Sequence, residues 1–68
     1  MKNESKKLGK NLKNIRTKKA ISQGDIARSL DVSRGFISNI ENGKTNPTLE
    51  TIARLAKAVG VSTKELLK

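Results

Sequence analysis

Apolar residues recur along this chain at helical spacing, and polar caps and glycines separate the runs. Leu8, Leu12 and Ile15 stand at i, i+4 and i+7, which places one apolar stripe on a first helix over about residues 5–19. Ser22 is a good N-cap, Asp25 occupies the capping-box position three residues on, and Ile26, Ala27 and Leu30 supply the apolar face that follows. Asp31 breaks that helix. Ser33 is a second N-cap, Ile37 and Ile40 repeat at i, i+3, and Gly43 stands where a helix is expected to stop. Residues 42–46 read as a loop, because Asn and Gly favour turns and Pro47 pushes Asn46 toward extended backbone. Thr48 then caps a fourth helix with Leu49, Ile52, Ala53, Ala56 and Val59 on one face and Gly60 as its stop. Ser62 and Glu65 have capping-box spacing and open a short last helix with Leu66 and Leu67. With no strand signal and no repeat, the prediction is an all-α fold of five helices in one domain over 1–68, loose over residues 1–5.

The stretch 22–43 predicts two short helices joined by a turn of three to four residues. That is the helix-turn-helix pattern, whose second member enters the DNA major groove. At about 100° per residue, Ser33, Phe36, Ile37 and Ile40 fall on one arc of the second member. Arg34, Gly35, Ser38, Asn39 and Asn42 fall on the opposite arc, which becomes the candidate reading face. Arg can fork onto guanine, Asn can pair bidentately with adenine, and Ser can donate or accept. Phe36 is expected to pack inward rather than touch a thymine methyl. Gln23, at the positive end of the second helix, points toward a DNA phosphate or merely fills the helix start.

Charge sharpens this picture. Fifteen Lys and Arg oppose six Asp and Glu, a net charge of +9 on 68 residues, so polyanions come first among partners. Eight of those positive charges lie in residues 1–19, against Glu4 alone. A lysine-rich helix can be a solvated face or a membrane-surface element, but its narrow apolar stripe is needed by the core, so long-range attraction to phosphate is the expected role. So short a chain leaves no room for a sensor or catalytic domain, and its own concentration is expected to be the control variable.

Enzyme classes fall away for lack of chemistry. His and Cys are absent, so no metal cluster, thiol nucleophile or imidazole base is available, and no cofactor or metal is expected. Asp25, Glu50 and Glu65 serve first turns, Asp31 a turn, and no glycine loop cradles a phosphate. No apolar run suits a signal peptide or a membrane span, which predicts a cytoplasmic chain without a membrane partner.

The segment 21–67 resembles the lambda-repressor-like, Cro-type helix-turn-helix family of phage repressors, restriction-modification controller proteins and small bacterial regulators. Ser22-Gln23, Ile26-Ala27, Leu30, Val32-Ser33, Ile40-Glu41, Gly43-Lys44, Pro47 and Val59-Gly60-Val61 carry the likeness, with the IxxIExGxxxP string from Ile37 its strongest part. The resemblance implies a homodimeric regulator, a repressor, on a pseudo-palindromic double-stranded DNA operator. It places Arg34, Gly35, Ser38 and Asn39 on bases, and Gln23, Ser33, Asn42, Lys44 and Thr45 on phosphates. Arg16 and Glu41 are implied to form a structural ion pair. The dimer surface is expected around the fourth and fifth helices, with Leu49, Val61, Thr63 and Leu67 as candidates. The competing reading is an antitoxin-type interaction module that also binds its own operator, which would add a toxin or antirepressor as protein partner. Two departures stand out: Asp31 where the family often has Gly, and Gly35 where a base-contacting side chain often sits.

Overall fold

A computed structural model describes residues 2–68 and contains five helices and, among the described residues, no strand. They are α1 (Lys2–Lys18), α2 (Gln23–Leu30), α3 (Arg34–Glu41), α4 (Leu49–Val59) and α5 (Thr63–Leu67). α1 packs on α3 and α5, α2 on α3 and α4, and α4 on α5, enclosing one apolar core. Leu8, Leu12, Ile26, Leu30, Ile37, Ile40, Ile52, Leu55, Val59 and Leu66 fill it, with Phe36 half-buried against them. Phe36 thus packs inward, as the periodicity of α3 predicts.

Local chemistry explains most boundaries. The Ser22 hydroxyl accepts from the Asp25 N–H at 2.9 Å while the Ser22 N–H donates to the Asp25 carboxylate at 3.1 Å, so both halves of the capping box form. α2 ends on Asp31 in the left-handed region (φ 59°, ψ 46°), and the Val32 N–H returns to the Ala27 carbonyl at 3.0 Å. Asp holds the conformation that Gly often supplies, at modest cost. Ser33 caps α3 by accepting from the Phe36 N–H at 3.0 Å, and Gly43 ends it at φ 70°. Thr48 caps α4, which stops at Gly60 with φ 74°. α1 stops on Ala20, again left-handed at φ 58°, with the Ile21 N–H bonded to the Arg16 carbonyl at 2.9 Å.

Three expectations are corrected. Of the loose start expected over residues 1–5, Met1 lies outside the described residues; the chain is helical from Lys2, and buried Ser5 donates to the Asn46 side chain. On α4 the buried stripe is Ile52, Leu55, Ala56 and Val59, whereas Ala53 is exposed and Leu49 is 77% exposed. The i, i+3, i+4, i+7 set from Ile52 faces the core; Ala53 is turned about 100° off it and Leu49 lies in an uncovered first turn. The Ser62–Glu65 capping box does not form. In so short a helix the Glu65 N–H bonds the Ser62 carbonyl at 3.0 Å, and the Glu65 carboxylate lies 3.4 Å from the Lys68 ammonium instead.

Candidate nucleic-acid interface

The site is built on α3 and on what stops it from moving. Ile37 and Ile40 are wholly buried, which anchors one side of the helix and turns its polar arc outward. Arg34, Gly35 and Asn39 are exposed and Ser38 is half-buried beside them. Past the C-terminus Asn42 and Lys44 are exposed and Thr45 is half-buried, while the Asn42 amide lies 3.4 Å from the Ser38 hydroxyl. The Ser33 hydroxyl is spent as acceptor on its own helix cap, which leaves its O–H free to donate outward. Nothing crowds Gly35: the nearest atom to a Cβ built there is the Ser33 hydroxyl oxygen, 3.8 Å away.

A buried polar cluster locks this arrangement. The Arg16 guanidinium meets Glu41 in a fork, Nε to Oε2 at 2.6 Å and Nη2 to Oε1 at 2.9 Å, and its Nη1 donates to the Ile21 carbonyl at 3.1 Å. Bidentate geometry of this kind is the strong form of the arginine–carboxylate pair. The Gln23 amide donates a third bond to Glu41 Oε1 at 2.9 Å. One carboxylate thus ties together the end of α1, the start of α2 and the end of α3. Glu41 holds the Arg16 pKa above its ordinary value, chiefly through the side-chain hydrogen bond, against an opposing effect of burial.

Gln23 therefore has two tasks available to it. One amide hydrogen is committed to Glu41, and the other remains at the positive end of α2. The sequence reading placed Gln23 on phosphate and missed its bond to Glu41, which no local spacing signals. It also missed Gly9, where a Cβ would lie 2.3 Å from the Ile40 carbonyl oxygen. A glycine in the interior of a strongly patterned helix was the available signal for that close approach.

The remaining predicted residues belong to α4, α5 and the link between them. Leu49 and Leu67 are exposed, Thr63 is half-buried at the first position of α5, and Val61 is half-buried against the core. A groove of about 300 Å³ runs along Leu8, Pro47, Ile52 and Leu67. No helix among the described residues is long and apolar enough to cross a membrane.

Two capped eight-residue helices around a three-residue turn, the second showing a polar arc and gripped by a buried ion pair, define a helix-turn-helix domain. The chain belongs to the HTH_3 helix-turn-helix family, whose model matches residues 12–66. It is 36% identical over 62 residues to the HTH-type transcriptional regulator DdrOP3 of Deinococcus deserti, covering 91% of this chain and 48% of that protein. The chain thus spans about half the length of that relative. Its fold superimposes on the restriction-modification controller protein C.AhdI of Aeromonas hydrophila with a TM-score of 0.88 at 31% identity, covering 94% of this chain and 97% of the other. It also matches the controller protein C.Esp1396I, solved as a tetramer with its natural 35 base-pair operator, with a TM-score of 0.78 at 30% identity over 94% of this chain and 95% of the other.

Proposed function

We propose that this chain is a sequence-specific regulator of transcription, a repressor, which binds a pseudo-palindromic double-stranded operator as a homodimer in the cytoplasm. The observation that carries the reading is the outward arc of α3, with Arg34, Ser38 and Asn39 presented from a helix whose opposite side is fully buried. Arg34 and Asn39 have the donor geometry to discriminate guanine and adenine in the major groove. Gln23, Ser33, Asn42, Lys44 and Thr45 flank that arc and supply phosphate contacts that set register without reading sequence. Gly35 contributes no side chain, which shifts discrimination onto Arg34, Asn39 and the shape of the DNA. The solved relative holding an operator supports the partner, and the net charge of +9 supports the polyanion. Exposed Leu49 and Leu67, with Val61 between α4 and α5 and Thr63 at the start of α5, supply the dimer surface.

Selection of bound duplexes from a random library tests this directly. An enriched site with two-fold symmetry is expected; retention of no preferred sequence would refute it. On the selected site, Arg34→Ala should lose about 1–3 kcal/mol of preference at one base pair of each half-site. Lys44→Ala should weaken all sequences alike and lower the salt slope by about one.

A further inference from the structure

At about 100° per residue, four lysines of α1 lie on the two flanks of its buried stripe, while Lys10 lies opposite it. On one side of the stripe formed by Leu8, Leu12 and Ile15 lie Gly9, Arg16, Lys13 and Lys6; on the other lie Asn11, Lys18 and Lys7. The structure fixes what each flank faces. Gly9 and Arg16 touch the end of α3, the first against the Ile40 and Glu41 carbonyls and the second through the Glu41 carboxylate. On the other flank Asn11 donates to the Leu66 carbonyl of α5 at 2.9 Å, and Lys7 lines the groove between Leu67 and Asn46–Pro47, beyond the Asn42–Thr45 stretch.

Lys6 lies directly against the loop that follows α3. A Cβ at Gly43 would be 2.8 Å from Lys6 Cγ and 3.1 Å from its Cα, and the neighbouring Ser5 hydroxyl donates to Asn46. Lys6 and Lys13 are both exposed, and among the described residues neither forms an ion pair. Two turns of helix separate them, a rise of about 10 Å. That rise is long enough for the two ammonium groups to reach different phosphates of one strand, which follow at about 3.4 Å along the duplex axis.

We infer that Lys6 and Lys13 form a phosphate-binding rail that continues the Asn42–Lys44–Thr45 loop along α1, whereas Lys7 and Lys18 take no part. The inference rests on the DNA-binding reading above and adds to it a direction: the footprint extends on the α1 side of α3. Of the six lysines of α1, two are thereby assigned to the polyanion, Lys6 and Lys13, and two, Lys7 and Lys18, to the opposite flank.

The test compares two double variants of equal charge, Lys6→Gln with Lys13→Gln and Lys7→Gln with Lys18→Gln, in the full chain. The probes are a library-selected duplex and a random-sequence duplex, titrated over a range of salt, with circular dichroism confirming that both variants stay folded. The Lys6/Lys13 variant is expected to reduce the slope of log affinity against log salt by about 1.8, on both duplexes. The Lys7/Lys18 variant should change it by less than about half a unit, a residual long-range effect. Equal slopes for the two variants, with the unmodified protein binding normally, overturn the rail alone. Failure of the unmodified protein to bind either duplex at low salt overturns the function and the rail together.

Discussion

Glu41 shows how one residue can carry a fold. Its side chain is 3% exposed and satisfies three donors from two other elements, Arg16 twice and Gln23 once. Removing either member of a buried pair strands the other charge, so Arg16→Ala or Glu41→Ala should each cost about 3–5 kcal/mol in urea unfolding. Replacing both by apolar residues of similar volume, Arg16→Met with Glu41→Leu, should recover much of that loss. Two further residues make opposite predictions about a single methyl group. Gly9→Ala would bring a Cβ to 2.3 Å from the Ile40 carbonyl oxygen, a backbone atom that cannot step aside. The expected cost is about 1–3 kcal/mol of strain, which outweighs the gain of about 1 kcal/mol that Ala ordinarily brings inside a helix. Ala20 already sits at φ 58°, where a Cβ is penalised, so Ala20→Gly should stabilise by about 0.5–1 kcal/mol in the same assay.

At the scale of elements, the helices are set by their ends more than by their interiors. Three of them start on a hydroxyl that accepts a backbone N–H, and two of the turns close on Gly in the left-handed region. These features were legible because each depends on residues no more than four positions apart; Ser22, Asp25, Ser33, Thr48, Gly43 and Gly60 act as their types predict. Asp25 gives α2 a dependence on pH. The Ser22 backbone N–H, then the Ser22 hydroxyl, hold its pKa below the ordinary 3.8, with Arg28 adding a smaller pull. A carboxyl lowered in the folded state stabilises above its ordinary value and loses that contribution as pH falls through the folded value. Thermal midpoints measured from about pH 5 to about pH 2 should therefore fall less steeply in Asp25→Asn than in the parent chain. The last helix departs from its pattern: no side chain caps it, and the Glu65 carboxylate lies beside the Lys68 ammonium.

The whole molecule presents two kinds of surface, one polar and cationic, one apolar. The arc of α3 and the loop after it expose polar and basic side chains, while Leu49 and Leu67 present apolar surface on α4 and α5. Those exposed leucines are the side chains on which the proposed dimer surface rests. Leu49→Lys with Leu67→Lys should leave monomer stability within about 0.5 kcal/mol per substitution, because neither side chain is in the core. On the homodimer reading proposed above, the parent chain should elute as a dimer in gel filtration and the same variant as a monomer at equal concentration. A dimer that survived it would move the interface elsewhere.

Residue order alone settled the number of helices, most of their ends, the burial of Ile37 and Ile40 and hence the outward turn of Arg34 and Asn39. Helical period and capping act within a few residues, so they are written locally. The Arg16–Glu41 pair came from likeness to a family rather than from spacing. Packing in three dimensions decided the rest: the amide of Gln23 on Glu41, the backbone approach at Gly9, Ser5 against Asn46, and which flank of α1 meets α3. Lys19 belongs with these, since its ammonium caps the end of α4 at the Val59 carbonyl, 2.8 Å away and 40 positions on. Such pairings join groups far apart in the chain, and only the folded core brings them within reach of one another.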